Sequence, residues 1–180
     1  MEKKNGPWTI KGSERKYKNE FFEVIEDDII KPDGNEGKYA TILMKPGVAI
    51  LPIDDEGNIY LTRQFRYAFE AESLETPCGG IDGEKPLAAA KRESCEELGI
   101  EAEEWIELGA YEMDTSIIKS PAHLFIAKKL KFTEPAHEGT ENIKTVKMSL
   151  QEAVDKVLSG EVKHAISAIL ILKAHYLEYE

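Results

Sequence analysis

One stretch limits what this chain can become: Glu75 to Ile100, reading ETPCGGIDGEKPLAAAKRESCEELGI. Pro86 suits the first turn of a helix, because its ring fixes φ near the helical value and the N–H it lacks would have had no intrahelical partner there. Gly99 suits the position just past the end. The spacing therefore predicts a helix from Pro86 to Gly99, entered from a strand through a glycine-rich turn. Leu87, Ala90, Ser94 and Leu98 recur at helical spacing and are expected to face a core, while Glu93, Glu96 and Glu97 share another face. Like charges so placed repel by a few tenths of a kcal/mol per pair unless something neutralises them. Two readings follow. One is a solvated acidic face; the other is a site where Mg²⁺ or Mn²⁺ takes carboxylate oxygens and keeps waters that substrate phosphates replace.

The order of Glu84 followed by Arg92, Glu93, Glu96, Glu97, Gly99 and Ile100 resembles the Nudix box, G-x5-E-x7-R-E-U-x-E-E-x-G-U with U aliphatic. Two departures stand out. Cys78 occupies the first glycine's position counted back from Glu84, and aligning Gly79 instead makes the turn one residue shorter; Ser94 stands where an aliphatic residue is usual. The resemblance implies that Glu93 and Glu97 ligate Mg²⁺ or Mn²⁺ with Glu96 in support. It also implies that Arg92 pairs with Glu84 or a neighbouring carboxylate and holds the helix, and that Cys78 offers the metal its main-chain carbonyl rather than its sulfur.

With 180 residues the chain can bury a real core. Its formal net charge of −11 repels nucleic acid backbones, so no nucleic-acid partner is expected, but it leaves room for a small phosphorylated substrate that arrives with a metal. No apolar run approaches a membrane span and Met1 to Gly6 lacks the apolar core of a signal peptide, so a cytoplasmic protein with no membrane partner is expected. Cys78 and Cys95 are too few for a disulfide framework and are expected to be buried thiols in a reducing compartment.

Trp8 to Ile10, Phe21 to Asp27 and Tyr39 to Met44 read as short strands, with Lys31-Pro32-Asp33-Gly34 as a turn. A plain edge sheet is one reading of this segment. Its order also resembles the N-terminal sheet of the ADP-ribose pyrophosphatase branch of the Nudix family, which pairs two subunits and helps to line the substrate site. That likeness implies a homodimer, with an N-terminal antiparallel β subdomain over 1–45 and a catalytic domain over 46–180. Gly47 to Asp54 and Asn58 to Tyr67 are apolar or alternating runs joined by Asp55-Glu56-Gly57, a hairpin signal. The second run ends in Gln64-Phe65-Arg66-Tyr67, which the same branch also shows. Taken alone, Arg66 reads as a surface residue; the resemblance places Gln64 and Arg66 at the substrate, where a guanidinium can hold a phosphate through two parallel hydrogen bonds.

Beyond the box, Trp105 to Met113, Ala122 to Ala127 and Thr145 to Met148 are strand-like. The loop from Asp114 to Pro121 has neither the proline-glycine pair nor the glutamate of typical ADP-ribose enzymes, so GDP- or ADP-hexoses stand level with ADP-ribose as expected substrates. Glu97, Glu138 and Glu141 remain open as the general base, the last two in the loop from His137 to Glu141, for which a solvated polar loop is the competing reading. Ser149-Leu150-Gln151-Glu152 is a capping box for a helix that closes near Gly160. A second helix from Val162 to Tyr179 is expected to bury Ile166, Ile169, Leu170 and Leu172, and no chemistry is assigned to it. The fold implied is an α/β, mixed-sheet α/β/α sandwich. The activity implied is divalent-metal-dependent hydrolysis of the pyrophosphate bond in a nucleoside diphosphate sugar, with a non-catalytic nucleotide-sugar sensor on the same fold as the alternative.

Overall fold

A computed structural model describes residues 2–136 and 142–178. The chain folds as two compact units, one formed by Met1–Lys45 with Glu112–Ser120, the other by Pro46–Tyr111 with Pro121–Glu180.

The first unit is a five-stranded sheet in the order β1-β2-β3-β4-β10, comprising Lys3–Asn5, Trp8–Lys18, Phe22–Ile30, Glu36–Met44 and Ile118–Lys119. The turn at Lys31 to Gly34 closes through the Gly34 N–H on the Lys31 carbonyl at 3.0 Å. β1 to β4 run antiparallel, but β10 lies parallel to β4, pairing Ile118 with Ile42. The strands within residues 1–45 are thus antiparallel to one another, as expected, and the parallel β10 is added from outside that range. The chain returns after its long excursion through the second unit, so the added strand is brought in by a crossover rather than a hairpin. The sheet carries ion pairs on its surface, among them Lys11–Glu36 and Arg15–Glu23, and leaves Tyr17 and Phe21 exposed at 51% and 64%.

In the second unit, β5 (Gly47–Pro52) lies between β8 (Cys78–Gly80) and β11 (Pro121–Phe132), with β9 (Ile100–Glu112) outside β11. A three-stranded sheet places β6 (Asn58–Arg66) between β12 (Lys144–Ser149) and β7 (Ala71–Glu75). Residues Val48 to Pro52 are all buried, the mark of a strand covered on both faces. One face packs on α1 (Pro86–Leu98), where Ala89 and Ala90 let the helix approach Val48, Ile50, Phe125 and Ala127. The opposite face, Ala49, Leu51, Leu124 and Ile126, packs on α2 (Leu150–Leu158) and α3 (Ala165–Glu178). Each buried Leu or Ile contributes about 1.5–3 kcal/mol of apolar burial. This unit is the α/β/α sandwich that the sequence implied.

Four local expectations need correcting. The turn at Asp54–Gly57 forms, with the Gly57 N–H on the Asp54 carbonyl at 3.0 Å, but beyond it β5 and β6 share only the bridge Ile53–Ile59. The cause is that both edges of β5 are taken by β8 and β11, so β6 pairs elsewhere. On α1 Ala90, Ser94 and Leu98 are buried as expected, together with Ala89 and Glu97, but Leu87 is exposed, because the face turned to Val48, Ile50, Phe125 and Ala127 carries Ala89 and Ala90. On α3 Ile166 and Leu170 are buried as expected, joined by Ser167, Ile171 and Ala174, whereas Ile169 is half-buried and Leu172 exposed. Finally, Cys95 is a free thiol in a half-buried rather than buried residue, whereas the free thiol of Cys78 is buried as expected although its residue as a whole is half-buried. The capping box is formed as read: the Ser149 hydroxyl accepts the Glu152 N–H at 3.1 Å.

Candidate functional site

Strand β8 and helix α1 build the site together, and the glycine-rich turn between them determines which atoms meet. Gly79 faces Glu93 so closely that a Cβ there would lie 1.9 Å from the Glu93 carboxylate. Only glycine admits that approach. One residue earlier, the Cys78 N–H donates to Glu97 Oε2 at 3.3 Å, and Glu97 is buried at 4% exposure. Glu93 and Glu97, one helical turn apart, are thus both drawn against the backbone of residues 78–79.

Arg92 occupies the other side of the carboxylate cluster. Its Nε donates to Glu84 Oε1 at 3.0 Å, Nη1 to Glu93 Oε1 at 2.7 Å and to Glu96 Oε2 at 2.8 Å, and Nη2 to the Gly80 carbonyl at 3.0 Å. Partial burial works against its charge, but hydrogen bonds to Glu84 and the field of Glu93 outweigh this and raise its pKa further above the usual range. The guanidinium therefore ties the turn, Glu84 and the helix into one piece. Part of the repulsion within the acidic face is offset by Arg92 rather than left wholly to a metal, and among the described residues no three His, Cys, Asp or Glu side chains form a closed metal-binding cluster.

The donors nonetheless suit a hard divalent cation. Glu93 and Glu97 offer carboxylate oxygens beside the main chain of Cys78, and the absence of a side chain at Gly79 makes room for the Glu93 carboxylate itself. Sulfur does not compete. Burial pushes the Cys78 thiol well above its ordinary pKa, and its Sγ–H donates to the Thr76 carbonyl at 2.9 Å, so it stays a protonated thiol.

Arg66 ends β6 in a two-pronged ion pair with Glu75, Nε to Oε1 at 3.1 Å and Nη2 to Oε2 at 2.5 Å. Burial alone would raise the Glu75 pKa, yet hydrogen bonds from Arg66 and Ser73 hold it below the ordinary carboxylate range. Burial works against the Arg66 charge, but the hydrogen bonds and the field of Glu75 outweigh it and raise the Arg66 pKa, with the charge of Glu97 acting in the same direction. Gln64 lies two residues before it on β6, half-buried and paired with Ser73. Glu138 and Glu141 lie outside the described residues. The chain leading to them is fixed to the end of α1, where the Ala136 N–H donates to the Glu96 carbonyl at 3.0 Å and the Thr133 N–H to the Gly99 carbonyl at 2.6 Å.

Sequence reasoning missed Glu75, Thr76 and Ser167. Thr76 and Ser167 are fully buried polar residues, and Glu75 is nearly so. Glu75 had a signal in the sequence, as a carboxylate entering an apolar strand run shortly before the turn; Ser167 inside an apolar helix had only the weaker one of being polar there.

Comparison with known proteins adds an independent line. The model of the NUDIX domain matches residues 43–167. The chain is 29% identical over 161 residues to an ADP-ribose pyrophosphatase of Bacillus subtilis (strain 168), covering 88% of this chain and 87% of that protein. It is 26% identical over 131 residues to a GDP-mannose pyrophosphatase of Citrobacter koseri, covering 67% and 68%. A crystal structure described as an ADP compounds hydrolase superposes with a TM-score of 0.83 at 22% identity, covering 97% of this chain and 96% of that one, a likeness of fold.

Proposed function

The chain belongs to the Nudix family, and from that premise we propose that it hydrolyses the pyrophosphate bond of a nucleoside diphosphate sugar, giving a nucleoside monophosphate and a sugar phosphate. The observation that carries this reading is the approach of Glu93 and Glu97 to the backbone at residues 78–79, where two carboxylates meet the main chain beside a glycine. The names of the relatives support the substrate class, ADP-ribose in one and GDP-mannose in another.

In this reading Glu93, Glu97 and the Cys78 carbonyl hold Mg²⁺ or Mn²⁺, with Glu96 in support. When bound, such an ion neutralises phosphate charge and makes a water more acidic. The chain's own residues do the rest. Arg92 and Glu84 keep the helix and the turn in fixed register, so the donors need little reorganisation. Arg66, oriented by Glu75, presents its remaining nitrogen to a phosphate oxygen, with Gln64 beside it. Glu97, Glu138 and Glu141 are the candidates for accepting the proton of the attacking water. The test is a panel of ADP-ribose, GDP-mannose and other nucleotide sugars assayed with Mg²⁺, with phosphate release coupled to a phosphatase. Turnover of at least one, abolished by EDTA, is expected; turnover of none would remove the enzyme and leave a sensor.

The protein is further proposed to be a cytoplasmic homodimer, with the subdomain over 1–45 as the pairing element. Tyr17 on β2 and Phe21 in the connection to β3, both exposed, support the pairing, since large apolar groups gain by being covered. Sedimentation at the mass of two chains is the expected result, and a strict monomer at micromolar concentration would overturn it.

A further inference from the structure

Helix α3, to which the sequence assigns no chemistry, reaches Thr76, two residues before Cys78 in the segment that joins β7 to β8. Ser167 is fully buried, and its Oγ accepts the Thr76 N–H at 2.9 Å while lying 3.0 Å from Thr76 Oγ1 and 2.8 Å from His164 Nδ1. One assignment of protons satisfies all of them. Thr76 donates both its N–H and its hydroxyl to Ser167 Oγ, and Ser167 donates its own hydroxyl to His164 Nδ1, leaving the imidazole proton on Nε2. Burial, which lowers the His164 pKa against the opposing pull of Glu75, is consistent with that neutral ring.

The relay ends where the site begins. Thr76 is fully buried, so its N–H needs a partner inside the protein, and Pro77 after it has no N–H to anchor with. The segment is held from β5 by the Ile50 N–H on the Pro77 carbonyl at 2.9 Å, from α3 by Ser167, and at Glu75 by the ion pair with Arg66. The next residue is Cys78. A serine among Ile166, Leu170 and Ile171 contributes less apolar burial and less helix propensity than alanine would, so its hydroxyl is the feature that needs a reason.

We propose that Ser167 and His164 are positioning residues that, through the Thr76 amide, fix the Cys78 main chain against Glu97 and so set the site's affinity for a divalent cation. This rests on the metal-site reading above. The test uses Mn²⁺ alone, titrated into the whole protein and followed by the EPR signal of the free ion, with thermal melting alongside. Ser167→Ala should weaken Mn²⁺ binding about tenfold, the lower end of what loss of an outer-sphere partner brings. Ser167→Thr, which keeps the hydroxyl, should restore it to within about twofold of wild type, and His164→Ala should shift it the same way as Ser167→Ala. Ile171→Val, on the same buried face but outside the relay, should lower the melting temperature and leave Mn²⁺ binding unchanged.

If folded Ser167→Ala binds Mn²⁺ as wild type does, or if Ile171→Val weakens binding as much, the relay is refuted while the metal site stands. Should Ser167→Ala not fold, wild-type affinity in His164→Ala, at a half-buried position, refutes it instead. Absence of Mn²⁺ binding by the wild-type protein would overturn the functional reading and the relay with it.

Discussion

Glu97→Gln is expected to lower kcat by about a thousandfold at saturating Mg²⁺ while leaving the protein folded. Glutamine matches the shape of glutamate and keeps an oxygen that can accept the Cys78 N–H, so the 3.3 Å hydrogen bond survives. What it removes is the negative charge, and a neutral amide is a poor substitute where a hard cation must be stripped of water and held. A thousandfold loss corresponds to about 4 kcal/mol of barrier, the scale expected when a residue that touches the ion or the reacting water is neutralised. In EDTA the variant should melt no lower than the wild-type protein, because Glu97 shares its helix face with Glu93 and removing one of two like charges relieves repulsion. Steady-state kinetics with Mg²⁺ and a thermal melt in EDTA check both halves. A kcat within about threefold of wild type would remove Glu97 from the site.

Gly99→Ala is expected to destabilise the protein by about 3 kcal/mol, a loss of roughly 10 °C in melting temperature for a chain of this size. Two effects add. Gly99 has φ +62°, the left-handed conformation that terminates α1 through its N–H on the Cys95 carbonyl at 2.9 Å, and an alanine there is strained by about 1 kcal/mol. A Cβ would also stand 2.3 Å from the Thr133 carbonyl oxygen, and backbone cannot swing aside as a side chain can. Gly79 makes the contrast: there the obstacle is the tip of Glu93, which can move at the expense of the site rather than of the fold. A denaturant midpoint for Gly99→Ala within experimental error of wild type would show that the helix end tolerates a side chain.

The carboxylate cluster was legible because helical spacing alone puts Glu93, Glu96 and Glu97 on one face and because Pro86 and Gly99 mark both ends of the helix. Strands β5 and β11 were legible as apolar runs. Periodicity could not place the buried stripe of α1 to the residue, since Leu87 and Ala89 are both apolar and only the packing of the helix on Val48 and Ile50 decides between them. Likewise the turn at Asp54–Gly57 was readable, whereas the separation of its two strands into different sheets depends on partners distant in sequence, Cys78–Gly80 and Pro121–Phe132. The Arg66–Glu75 pair and the bonds from Ser167 to Thr76 join residues with 9 and 91 positions between their numbers. No local pattern announces such contacts, and the second crosses from α3 to the short segment between β7 and β8.

The central claim is that a divalent cation sits where Glu93 and Glu97 meet the main chain of Cys78. Crystals soaked in Mn²⁺ with a non-hydrolysable nucleoside diphosphate sugar, measured at the manganese absorption edge, test it most directly. The account predicts an anomalous peak within ligand distance of Glu93, Glu97 and the Cys78 carbonyl. Density for the nucleotide with no such peak beside those three groups would contradict it.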